Sequence, residues 1–63
     1  MEPTDENIRE VAEFRLRKQP ELIDNVIERA QYYRDRTHSA AKTAAQAVEW
    51  AMHDFWEESP IGS

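Results

Sequence analysis

Residues 39–58 read SAAKTAAQAVEWAMHDFWEE, with no proline or glycine to interrupt them. No other stretch constrains the fold as strongly. Alanine has no side-chain freedom to lose in a helix, and Lys, Gln, Glu and Met lose little. Ser39 precedes this run with a hydroxyl that can accept a bond from a first-turn backbone N–H. The pattern predicts a helix over about 39–58.

At about 100° per residue, Ala41, Ala44, Ala45, Ala51, Met52 and Phe55 fall within roughly 60° of Val48. This apolar stripe begins with alanine and ends with larger side chains. Alanine lets a neighbouring helix come near, so the partner is expected close to residues 41–45 and splayed away toward Phe55. Trp56 lies at the edge of the stripe and is expected in the core. Trp50 lies roughly 160° from Val48, among Thr43, Gln46, His53, Asp54 and Glu57. A tryptophan on a polar face needs a cover, and Trp is enriched at interface hot spots.

Upstream, Thr4 can cap a first helix, with Asp5 and Glu6 complementing the dipole in its opening turn. This helix is expected over about 4–18, where Arg15, Arg17 and Lys18 suit its C-terminal end. Ile8, Val11 and Ala12 share a face, with Phe14 and Leu16 flanking it on opposite sides and Arg15 inside it. Either the helix is wedged between two surfaces or Phe14 points outward. Gln19-Pro20 breaks the chain, because proline disfavours helical geometry in the residue before it and suits a first helical turn. A second helix is expected over about 20–35. Its core face is Leu22, Ile23, Val26, Ala30 and Tyr33, with Ile27 at the edge and Tyr32 roughly 120° off. The short polar turn 34–38 predicts that helices two and three form an antiparallel hairpin. Residues 59–63, SPIGS, read as a flexible tail.

The 63 residues make a single domain, 1–63. A chain this short buries only about 60% of its unfolded surface. Small scaffolds compensate with disulfides, a metal or association. No cysteine is present, which removes disulfides and thiolate metal sites and suits a reducing cytoplasm. Association, with itself or with a partner, is left. The expected fold is all-α: a small, oligomeric three-helix bundle with helix one packed across the hairpin. No apolar run reaches the ~18–20 residues that span a bilayer, and the acidic opening MEPTDEN is unlike a signal peptide.

Charge is unevenly placed. The net of −5 divides into −4 over residues 1–13, +3 over 14–42 and −4 over 43–63. An acidic whole argues against non-specific nucleic-acid binding.

Three candidate surfaces follow. The first is a protein-binding surface of Trp50, Tyr32 and Phe14, the aromatics that do not fit their helices' core faces. It points to a small cytoplasmic interaction module that neutralises, inhibits or links a partner, or that forms a homodimer. The second is a dimeric DNA-binding regulator, with the junction of helices two and three as a helix-turn-helix and Arg34, Arg36, Lys42 and Gln46 toward the duplex. Its recognition helix would be long and acidic in its second half. The third is a metal-binding oligomer using Glu49, His53 and Glu57, spaced i, i+4, i+8 along one side of helix three. A closed site would need ligands from a symmetry mate. Thr37, Ser39, His38 and His53 show no spacing of a nucleophile–base pair, so neither catalysis nor a cofactor is expected.

Overall fold

The computed structural model describes residues 2–57. Three α-helices, α1 (Asp5–Arg15), α2 (Ile23–Asp35) and α3 (Ala44–Glu57), pack on one another, with a 3-10 turn at Pro20–Leu22 leading into α2. No strand occurs among the described residues. The expected tail, 59–63, lies outside them.

Thr4 caps α1 from an extended backbone, its Oγ1 accepting the Asn7 N–H at 3.1 Å. The helix ends at Arg15, earlier than the expected Lys18. The Leu16 N–H still reaches the Ala12 carbonyl at 2.9 Å, and the Gln19 N–H then turns back to the Leu16 carbonyl at 2.8 Å. This early turn carries the chain toward Pro20, and Gln19 is held out of helical geometry at φ −137° and ψ 61°. Ile8, Ala12 and Leu16, at i, i+4 and i+8, form the buried edge of α1.

The largest departure from the expected boundaries is at α3, which begins at Ala44 and not near Ser39. Ser39 stands in the left-handed region at φ 57°, where a side chain bearing Cβ is disfavoured. The cap belongs to Thr43: its Oγ1 accepts the Gln46 N–H at 3.0 Å, and the Gln46 side-chain oxygen accepts the Lys42 N–H at 2.8 Å. This is close to a reciprocal capping box, in which a hydroxyl and a glutamine three residues on satisfy each other's turn. The connection 36–43 is therefore a loop. It is tied to α2 by the Ala41 N–H on the Tyr33 carbonyl at 2.9 Å.

The core consists of Ile8, Ala12, Leu16, Val26, Ile27, Ala30, Ala41, Ala44, Ala47, Val48 and Ala51. Alanine supplies six of these eleven residues, and no aromatic is among them. On α3 the buried arc is centred roughly 50° from Val48, toward Ala47. Ala45 is accordingly exposed and Ala47 fully buried, the reverse of the stripe expected from the sequence. The methyl side chains at positions 44, 47 and 51 permit a close approach of backbones, and α3 has turned its smallest face inward.

Candidate interaction surface

All six aromatic residues lie outside the alanine-rich core, in two groups and one singleton. The first group is built on the end of α2. Tyr32 and Tyr33 meet edge to face with centroids 5.4 Å apart, and Tyr33 meets Trp50 of α3 in the same manner at 5.7 Å. Such offsets set the positive ring edge of one aromatic on the negative face of another. Arg36, the first residue of the loop, lays its guanidinium 4.7 Å from the Tyr33 centroid and 5.6 Å from that of Trp50. The same side chain donates to the Ser39 carbonyl from Nε at 3.2 Å and Nη2 at 3.1 Å. It thus fixes the bend at Ser39 while covering the two rings.

Below this stack the Tyr33 hydroxyl donates to the Asp54 carboxylate at 2.5 Å, and Arg29 reaches the same carboxylate at 3.5 Å. The bond to Asp54 pushes the Tyr33 hydroxyl above its ordinary pKa. Partial burial and the Asp54 charge push the same way, and the cations Arg29 and Arg36 oppose them. Trp50 is therefore half-buried within its own fold, with Tyr33 in edge-to-face contact and Arg36 over its ring. Tyr33 and Arg36 supply the cover that a tryptophan on a polar face needs.

The second group lies where the C-terminal ends of α1 and α3 meet the 3-10 turn. Phe55 and Trp56, expected in the apolar stripe and the core, are 37% and 42% exposed. They lie beyond the last core residue of α3, Ala51, so the helix outruns the core that would have covered them. Trp56 and Gln19 line two adjoining grooves. One, of about 320 Å³, also holds Leu16 and Met52 on its apolar side and Arg15, Glu49 and His53 at its rim. The other, of about 300 Å³, is completed by Leu22 and Phe55. Phe14 is the singleton: it faces solvent on α1, 68% exposed, with Arg17 5.5 Å from its ring centroid. Of the expected surface of Trp50, Tyr32 and Phe14, the first two join one ladder through Tyr33. Phe14 is on another element and shares no ring contact with them.

The residues considered for DNA are mostly engaged within the fold. Arg34 forks onto Asp35 at 2.8 and 3.0 Å, donates to the Pro3 carbonyl at 3.2 Å and pairs with Asp5 at the start of α1. This bidentate contact holds the Asp35 carboxyl below its ordinary value. Arg36 is committed to the stack and Gln46 to the cap, leaving Lys42 exposed. Among the described residues no group of three or more His, Cys, Asp or Glu side chains is placed to hold a metal ion. The side chain of Glu57, one of the three residues considered for that role, lies outside the description. No helix among the described residues is long and apolar enough to cross a membrane.

The sequence carries a second signal for the start of α3. Thr43-Ala44-Ala45-Gln46 carries the spacing of a capping box, which places the helix start four residues beyond Ser39 and turns 36–43 into the loop that supplies Arg36. The open groove had no comparable signal, because its lining comes from three separate segments. Comparison with models of known protein families, with curated proteins and with solved structures finds no match for this chain.

Proposed function

We propose that this chain works as a protein–protein interaction module. One observation carries the reading: the core contains no aromatic residue, while Phe14, Tyr32, Phe55 and Trp56 are all exposed. A chain that needed its aromatics for stability would bury them, since each can remove 150–250 Å² from water. Aromatic side chains left at the surface are the usual anchors of binding. The clustered pair, Phe55 and Trp56, is the contact surface, because two adjoining grooves accept a partner's side chains there.

The finer architecture fits this role. We take α2 and α3 as an antiparallel hairpin, since partners on α3 fall in number as those on α2 rise: Arg29 meets Asp54 and Tyr33 meets Trp50. The hairpin leaves the open groove at the end away from the 36–43 loop. The lack of cysteine suits work in a reducing cytoplasm.

The test is affinity capture from source cells, using the wild-type chain and the double variant Phe55→Ala/Trp56→Ala as baits. A defined partner, which includes an untagged copy of the chain itself, is expected with the wild type and lost with the variant. Equal capture by both baits, or no specific capture by either, ends this reading.

A further inference from the structure

We infer that the partner at the open end is a second copy of this chain, docked about a two-fold axis through the Phe55–Trp56 groove. The inference rests on the interaction-module reading and adds the identity of the partner. Its basis is the charge around the groove. Arg15 and Glu49 stand on its rim, from α1 and α3 respectively, and Lys18 follows in the turn after α1. None of these three side chains has an ion-pair partner within the fold among the described residues. The groove thus has an apolar floor with one cation, Arg15, on its α1 side and Glu49, beside His53, on its α3 side; Lys18 adds a second positive charge in the turn that follows Arg15.

A partner of one charge sign would satisfy one side and oppose the other, with like charges set against each other at a cost. A two-fold interface brings a patch against itself, so that residue i of one copy meets j of the other and j meets i. With the axis running along the groove, the Arg15 side of each copy falls on the Glu49 side of its mate, and both sides are matched at once. The apolar side chains of the two grooves include Leu22, Met52, Phe55 and Trp56, with the aromatic character of an interface core. Pairing also adds the large side chains that the alanine core lacks, which is how small scaffolds without disulfides gain buried area.

The test is sedimentation equilibrium on the full chain over roughly 1 µM to 1 mM, a range that brackets modest affinities. The wild type is expected to form dimers. Trp56→Glu is expected to be monomeric with unchanged helical circular dichroism, because the side chain it replaces is not in the core. Arg15→Glu/Lys18→Glu and Glu49→Lys are each expected to weaken self-association by about tenfold or more. An equimolar mixture of the two is expected to recover a heterodimer.

A wild type that stays monomeric over the whole range overturns the dimer. The capture experiment then decides whether the interaction-module reading survives with a different protein at the groove. A dimer indifferent to Trp56→Glu places the interface elsewhere, and failure of the mixed charge variants to pair removes the two-fold register.

Discussion

Trp50 and Trp56 stand six residues apart on α3, and their surroundings differ on every side. Trp50 projects from the polar face, yet it is half-buried, with Tyr33 in edge-to-face contact and Arg36 over its ring. Trp56 projects beside the apolar stripe, yet it lines an open groove. The angle of a side chain around its own helix therefore did not decide its burial. What decided it was how far the neighbouring segments reach along the helix axis. The 36–43 loop folds back over the first turns of α3 and closes on Trp50. At the other end, α1 stops at Arg15, and nothing described extends over Trp56. One tryptophan is packed into the fold, and the other stands at the surface.

Substitutions test this division directly, and the largest effect belongs to the closed end. Trp50→Ala removes a half-buried aromatic and is expected to cost about 2 kcal/mol, below the 3–5 kcal/mol of a fully buried one. A 63-residue chain has roughly 3–9 kcal/mol in total at typical values per residue, so urea midpoints will fall visibly. A loss under about 0.5 kcal/mol, the range of ordinary surface changes, would show that the stack is decoration. Thr43→Ala, which removes the hydroxyl cap of α3, is expected to cost about 1 kcal/mol. Thr37→Ala serves as the neutral control. If the two behave alike in thermal melts, the helix does not depend on that cap.

Tyr33→Phe deletes the bond to Asp54 and is expected to cost about 1 kcal/mol at neutral pH. Its pH dependence has a definite sign. The folded-state pKa of Tyr33 is raised, so the neutral hydroxyl is the form the fold favours. The stabilisation is fully present below the unfolded value of about 10 and is lost as pH rises through the higher folded value. Denaturation curves taken at increasing alkaline pH should therefore converge for wild type and variant. Parallel curves would locate the alkaline loss in another group. Arg36→Ala is expected to cost about 0.5–1 kcal/mol, the range of an accessible cation–π contact, and to shift Trp50 emission to the red. Trp56→Ala closes the series, with an expected change within about 0.5 kcal/mol in the monomer. A larger loss there would mean that the open end is part of the core after all.

Much of the architecture can be read from the residues themselves. The helical stretches, the break at Gln19-Pro20 and the buried set Ile8, Ala12, Val26, Ala30, Ala44, Val48 and Ala51 follow from propensity and period. The fates of the tryptophans do not. A helical wheel treats every turn as equally covered, whereas coverage ends where a neighbouring helix ends. The two choices of cap for α3 differ by four residues, and only the Gln46 side chain distinguishes them. Once Thr43 is the cap, the eight residues 36–43 have the length to reach Trp50, and Arg36 is carried out of the DNA-facing set into the aromatic stack. Tyr32 was legible as outward-facing, whereas for Phe14 that was one of two alternatives, and the separation of the two residues depends on how α1 lies against α2.

The Ala41 N–H bond to the Tyr33 carbonyl has a consequence for motion as well as for shape. Within the loop it is the backbone bond that reaches α2, and it joins the same residue whose ring supports Trp50. Amide hydrogen exchange at Ala41 should accordingly be slow compared with that at Thr37, His38 and Ser39. Arg36 ties the same loop to the rings, so Arg36→Ala is expected to speed exchange at Ala41, through a local opening that costs less than global unfolding.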